Sequence, residues 1–200
     1  TPLDLAESEH RHEVVLRLVN AGASMSRHNG ECGKTLIWAT THGNTEAVEL
    51  LLNAGANPDS YNSSYWNALM YAARDGKKEI ANLLISSGAN LEAVDGYNWS
   101  PLIFAAWYNQ IELVELLINN GSNLEHLEQH NRTALQIAAE RGNTEIVEKL
   151  LNAGANYKQS DDEGKTALEI AQQKNYQPII NLLLNAHTIV KPKKIIPLIN

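Results

Sequence analysis

Residues 133–154 read TALQIAAERGNTEIVEKLLNAG, and the reading of this stretch decides the fold. It describes two short helices. Thr133 is a residue type that caps a helix N-terminus, and behind it Leu135, Ile137, Ala138 and Ala139 form one apolar side. Gly142 ends the first helix by accepting a left-handed backbone that a side chain would resist. The second helix is expected to start near Asn143 or Thr144, with the Glu145 carboxylate at the positive end of the helix dipole. Ile146, Val147, Leu150 and Leu151 then fall at i, i+1, i+4 and i+5, a stripe that packs on a neighbour, and Gly154 stops the helix.

The same unit recurs along the chain. Gly22, Gly55, Gly88, Gly121 and Gly154 keep a spacing of 33 residues, as do Leu3, Leu36, Leu69, Leu102, Leu135 and Leu168. Ala6, Ala39, Ala72, Ala105, Ala138 and Ala171 follow the same interval, and so do Glu13, Glu46, Glu79, Glu112 and Glu145. Pro178 takes the next place in the glutamate series, which is tolerable because the first helical turn has no internal partner for that N–H. A helix pair of about 20 residues is too small to bury its own stripe, so stability has to come from stacking units side by side. The fold class expected is an all-α solenoid, with units starting near 1, 34, 67, 100, 133 and 166 over residues 1–187. Residues 188–200 break the period and carry Pro192 and Pro197 beside Lys191, Lys193 and Lys194. They are expected to fold back as a cap over the last unit, the alternative being a free tail.

The stretches TPLDLA (1–6), SPLIFAA (100–106) and GNTEAVELLLNAGAN (43–57) resemble the ankyrin-repeat family. The resemblance implies helix-turn-helix units joined by β-hairpin fingers, such as Ala89 to Trp99, that project sideways and give an L-shaped section. It also implies a curved stack whose fingers and first helices line a concave face, and a role as an adaptor for other proteins. The chain opens at a first helix with no finger before it, so the natural polypeptide is expected to extend further.

Composition narrows the function classes. With 44% hydrophobic and 20% charged residues the chain is globular, and a net charge of −7 offers no general attraction to phosphate backbones or anionic lipid. No nucleic-acid or membrane partner is expected. The single Cys32 cannot form an internal disulfide, which fits a reducing compartment: the cytoplasm, the nucleus, or a host cytosol for an effector. No apolar run approaches the roughly 18 residues of a membrane span.

Apparent chemical motifs fail on inspection. Gly30 to Thr35 resembles the end of a phosphate-binding loop, but His28 stands where that loop needs its first Gly. His126-Leu127-Glu128-Gln129-His130 has neither of the zinc-helix spacings, and it falls in a finger where Asp95, Glu128 and Asp161 recur as turn residues. Cys32 occupies a finger position held by Asn98, Asn131 and Gly164 elsewhere and is read as an inert thiol. No catalysis, metal, cofactor or small-molecule substrate is expected within these residues, and the chain is expected to be a monomer.

Shared positions explain the fold, so function should lie where one unit departs from its siblings. At the end of the first helix the pairs are Ser8/Glu9, Thr41/His42, Arg74/Asp75, Trp107/Tyr108, Glu140/Arg141 and Gln173/Lys174, aromatic in the fourth unit alone. Three residues into each unit stand Asp4, Ile37, Met70, Ile103, Gln136 and Glu169, apolar in units two to four. Just before the unit starts stand Gly33, Trp66, Trp99, Arg132 and Lys165, and the fingers add Tyr61, Tyr65 and Tyr97. The expected partner-binding surface comprises Ile37, Tyr65, Trp66, Met70, Tyr97, Trp99, Ile103, Trp107 and Tyr108, with His42, Arg74, Asp75, Glu140 and Arg141 as its polar rim. The function expected is an adaptor or scaffold that binds a protein or peptide on the concave face of units two to four. The alternative is a targeting arm of a larger enzyme or host-directed effector, a setting suggested by frequent Asn and an excess of Lys over Arg.

Overall fold

The computed structural model describes residues 2–8, 11–24 and 33–186. The expected cap at 188–200 and residues 30–32 of the loop-like stretch, Cys32 among them, lie outside the described residues. Among them the chain forms twelve helices in six pairs: α1 (Pro2–Ser8) with α2 (His12–Asn20), α3 (Gly33–Thr41) with α4 (Thr45–Asn53), α5 (Ala68–Asp75) with α6 (Lys78–Ser86), α7 (Pro101–Trp107) with α8 (Ile111–Asn119), α9 (Ala134–Arg141) with α10 (Thr144–Asn152), and α11 (Ala167–Gln173) with α12 (Gln177–Leu184). From α3 onward each first helix packs on the next first helix, and from α2 onward each second helix packs on the next second helix. The result is a two-layered, all-α solenoid.

Local chemistry sets each helix. Asn67, Ser100, Thr133 and Thr166 cap the first helices by accepting from Met70, Ile103, Gln136 and Glu169 N–H, and the last two form full capping boxes with the Gln136 and Glu169 side chains. In the second box the Thr166 donors hold the Glu169 carboxyl below its usual range. At the end of the second helices Gly55, Gly88, Gly121 and Gly154 adopt φ of 91°, 87°, 87° and 93°, the region where a side chain is strained. Inside the stack, Ala39, Ala72, Ala105, Ala138 and Ala171 are completely buried, so a methyl group is the largest side chain at the closest approach between units.

Two ladders of side chains stitch one unit to the next. The residue before each second helix reaches back to the last carbonyls of the preceding unit's first helix: Lys77 Nζ donates to Thr40 O and Thr41 O (2.8 Å each), Gln110 Nε2 to Arg74 O (2.9 Å), and Asn143 Nδ2 to Ala106 O (2.7 Å). Thr40 O also accepts from Gly43 N–H (3.0 Å), whereas the helix leaves the last carbonyls such as Arg74 O and Ala106 O without a partner of its own, and the ladder supplies one. At the next position Tyr176 packs its ring on Gly142 instead, 3.1 Å from where a Cβ would stand. The second ladder runs through the loops: Asp59, Glu92 and Glu125 accept from the N–H of Asn90, Asn123 and Asn156 at 2.8–2.9 Å.

The fingers differ from the expected β-hairpins. Among the described residues the only pairings are isolated bridges, Tyr61 with Asn67 and Ser160 with Thr166. Each finger is a tight turn built around one side chain. Asp95 Oδ1 accepts from Tyr97 and Trp99 N–H (2.9 Å each), and Asn62, Glu128 and Asp161 do the same in their own fingers. A carboxylate or amide that takes two backbone N–H groups occupies the donors that a strand ladder would have used.

Candidate interaction surface

Three residues of the expected surface are inside. Ile37, Met70 and Ile103 are 8%, 1% and 1% exposed and belong to the continuous core. The reason is visible one unit on, where the equivalent Gln136 is also buried and donates through Nε2 to Lys165 O at the base of the next finger. This position faces the following unit whatever its polarity, so its apolar residues support the surface from beneath.

The aromatic residues form a connected chain of rings across the third and fourth units. Tyr71 meets Trp66 with centroids 5.0 Å apart, Trp66 meets Phe104 at 4.4 Å, Phe104 meets Trp99 at 5.2 Å, and Trp99 meets Trp107 edge to face at 5.2 Å. An arginine closes each end. The Arg74 guanidinium lies 4.9 Å over Tyr71 and 5.5 Å over Trp66, and that of Arg141 lies 4.4 Å over Trp107. Trp66, Trp99 and Trp107 are half-buried, and each is held by neighbouring rings, so none has to be ordered when a partner arrives. Trp66 is fixed further by its Nε1–H, which donates to Asp95 Oδ2 (3.1 Å), the free oxygen of the carboxylate that builds the next finger.

Solvent reaches the tyrosines. Tyr108 at the end of α7 is 47% exposed, and at the finger tips Tyr61, Tyr65 and Tyr97 are 60%, 58% and 63% exposed. Tyr61 and Tyr65 stack on each other at 5.4 Å. Tyr65 has φ of 62°, at the register position where Asn98 (61°), Asn131 (55°) and Gly164 (76°) take the same left-handed turn. Asn and Gly suit that conformation, whereas a bulky Tyr is strained there, and strain of this kind collects at functional positions.

The polar rim divides into paired and unpaired members. Asp75 accepts from Arg74 Nε and Nη2 at 2.6 and 3.0 Å and from Lys77 Nζ at 3.3 Å, and these donors, Arg74 first, hold its carboxyl below the usual range. Glu140 is paired with Arg132 (2.7 Å), which also holds the buried Glu128 (3.0 Å). His42 Nδ1 donates to Trp38 O (2.8 Å) and its ring tilts against that indole at 4.7 Å, while His12 stacks on the indole at 5.0 Å.

Trp38 and Tyr71, both half-buried, and Phe104, buried beneath Trp66 and Trp99, complete this set of rings and stand at a register position outside the expected surface. They fall one after another at a single register position, held by Leu5, Ile137 and Ile170 in units one, five and six, so a fourth in-register row would have found them. The His126–His130 stretch is occupied structurally: Glu128 points inward to Arg132, and His126 Nε2 donates to Asn98 O (2.9 Å). Among the described residues no group of three His, Cys, Asp or Glu is placed to hold a metal ion. None of the described helices is long and apolar enough to cross a membrane.

Six helix pairs stacked in two layers define the class of helical repeat proteins. A family model described as ankyrin repeats (3 copies) matches residues 36–126 and again 102–194, together well over half of the chain. The chain belongs to the ankyrin-repeat family, whose repeats are generally protein–protein interaction modules. No curated protein matches it closely enough to be a relative.

Proposed function

We propose that this chain is an adaptor that binds a protein segment on the concave side of its second to fourth units, without chemistry of its own. The observation that carries this reading is the run of rings from Tyr71 through Trp66, Phe104 and Trp99 to Trp107, opening onto the exposed Tyr108. Trp and Tyr held rigid at a solvent boundary are the residues that dominate binding energy in interfaces, each contributing on the order of 2 kcal/mol or more. The surface is amphipathic, with Arg74, Asp75 and His42 around it to select among partners. Ile37, Met70 and Ile103 act from below, by fixing where the rings stand. Tyr65, Tyr97 and the neighbouring Tyr61 extend the same surface onto the finger tips.

The test is a pull-down from cell lysate with the wild-type chain and a Trp107→Ala/Tyr108→Ala double variant, once circular dichroism shows both to be folded. A partner retained by the wild type and lost by the variant supports the reading. The same partner held by both moves the site off the fourth unit.

A further inference from the structure

The end of the first helix carries, one unit after another, His42, Asp75, Tyr108, Arg141 and Lys174. Most cations of this face are already partnered. Arg74 and Lys77 share Asp75, and Arg132 lies between Glu128 and Glu140. Arg141 and Lys174 differ: both are exposed, and neither makes an ion pair or a side-chain hydrogen bond with any described residue. Arg141 is nonetheless in place, since its guanidinium rests 4.4 Å over the Trp107 ring. Stacking occupies one face of the fork and leaves its N–H edges free for an acceptor in the plane, the geometry a carboxylate matches with two parallel hydrogen bonds.

From these observations we infer that the bound segment is acidic at one end: an apolar or aromatic residue seats against Trp107 and Tyr108, and Asp or Glu side chains that follow it pair with Arg141 and then Lys174. This rests on the aromatic-surface reading and adds to it a chemistry and a direction. The chain as a whole carries −7, so an acidic segment gains nothing from the general field and is drawn to the place where two cations are unpaired. A carboxylate fits better than a phosphate, because the Glu140 carboxylate lies beside Arg141 in the chain and penalises a dianion more than a single charge.

The experiment is selection of a random twelve-residue phage library on the full 200-residue chain, followed by fluorescence polarisation with the best synthetic peptides. The inference expects recovered peptides with an aromatic or branched aliphatic residue followed by Asp or Glu. It expects binding to fall by about tenfold in Arg141→Glu, to fall in Lys174→Glu, and to weaken with salt. Replacing the peptide's acid by Lys should restore binding to Arg141→Glu while weakening it for the wild type. Peptides that need Trp107 yet ignore both charge reversals would overturn the acidic-end inference and leave the aromatic site standing. Tighter binding of a phosphoserine peptide than of its Glu counterpart would overturn the carboxylate assignment. Failure to recover any peptide whose binding depends on Trp107 would overturn the site reading and this inference with it.

Discussion

Replacing Trp66 by Phe keeps an aromatic ring against Phe104 and under Arg74 but removes the Nε1–H that donates to Asp95 Oδ2 at 3.1 Å. Asp95 is buried, and its other oxygen already accepts from Tyr97 and Trp99 N–H, so Oδ2 is left without a partner. A hydrogen bond to a charged group contributes about 1.5–3 kcal/mol, and an orphaned acceptor exposes that whole amount. Trp66→Phe should therefore cost about 2 kcal/mol, on the order of 4–8 °C in Tm for a chain of this length. Asp95→Asn keeps the oxygen that builds the finger, as Asn62 does in its own finger, but turns an NH2 toward the indole N–H. In the double variant neither donor opposes the other, so its loss should be smaller than the sum of the two single losses by at least 1 kcal/mol. The cycle is measured by urea denaturation followed by circular dichroism, which does not depend on the substituted indole. Additivity within about 0.5 kcal/mol would refute the claim that this bond joins the fingers on either side of the third unit.

Other outcomes follow from the same geometry. Leu135→Ala, at a 1% exposed position, should cost about 2–5 kcal/mol, whereas Trp107→Ala should cost only about 1–2 because its ring is half in solvent, and thermal melts distinguish the two. Gly154→Ala meets open space and should lose about 1 kcal/mol to its φ of 93° alone, while Gly142→Ala also drives a methyl into Tyr176 and should lose more; equal losses would mean that the Tyr176 contact is unimportant. Because Asp75 has a lower carboxyl pKa folded than unfolded, its pairing stabilises the protein fully above the ordinary Asp value and is lost as the pH falls below that value and through the lower folded one. Asp75→Asn should thus be less stable by about 0.5–1 kcal/mol at pH 6, with the gap narrowing once the pH falls below the ordinary Asp value, as followed by melts at descending pH.

The fold was legible because every unit repeats the same local signals. Thr133, Gly142, Asn143 and Gly154 cap and end their helices where the pattern of residues 133–154 places them. The surface was only partly legible. An apolar residue three places into a unit can face solvent or the next unit, and periodicity within one helix does not tell these apart; the buried Gln136 does, but only once its bond to Lys165 O is visible. Ring contacts such as Trp66 with Phe104 join residues 38 positions apart, and no local pattern announces them. Pairing was equally hidden: nothing in Arg74, Arg132 and Arg141 as letters says that two are neutralised by acids and the third is free. Strand pairs in the fingers were implied by the family resemblance alone, and the turn side chains instead take up the backbone donors themselves.

The most direct test of the aromatic surface is photocrosslinking with a benzoylphenylalanine placed at position 108, on the exposed end of the first-helix layer, and a control placed at position 148 on the second-helix layer. The account predicts that a partner protein is captured covalently from position 108 and not from position 148. Capture from 148 alone, or equally from both, would contradict it and place recognition on the outer layer of the stack.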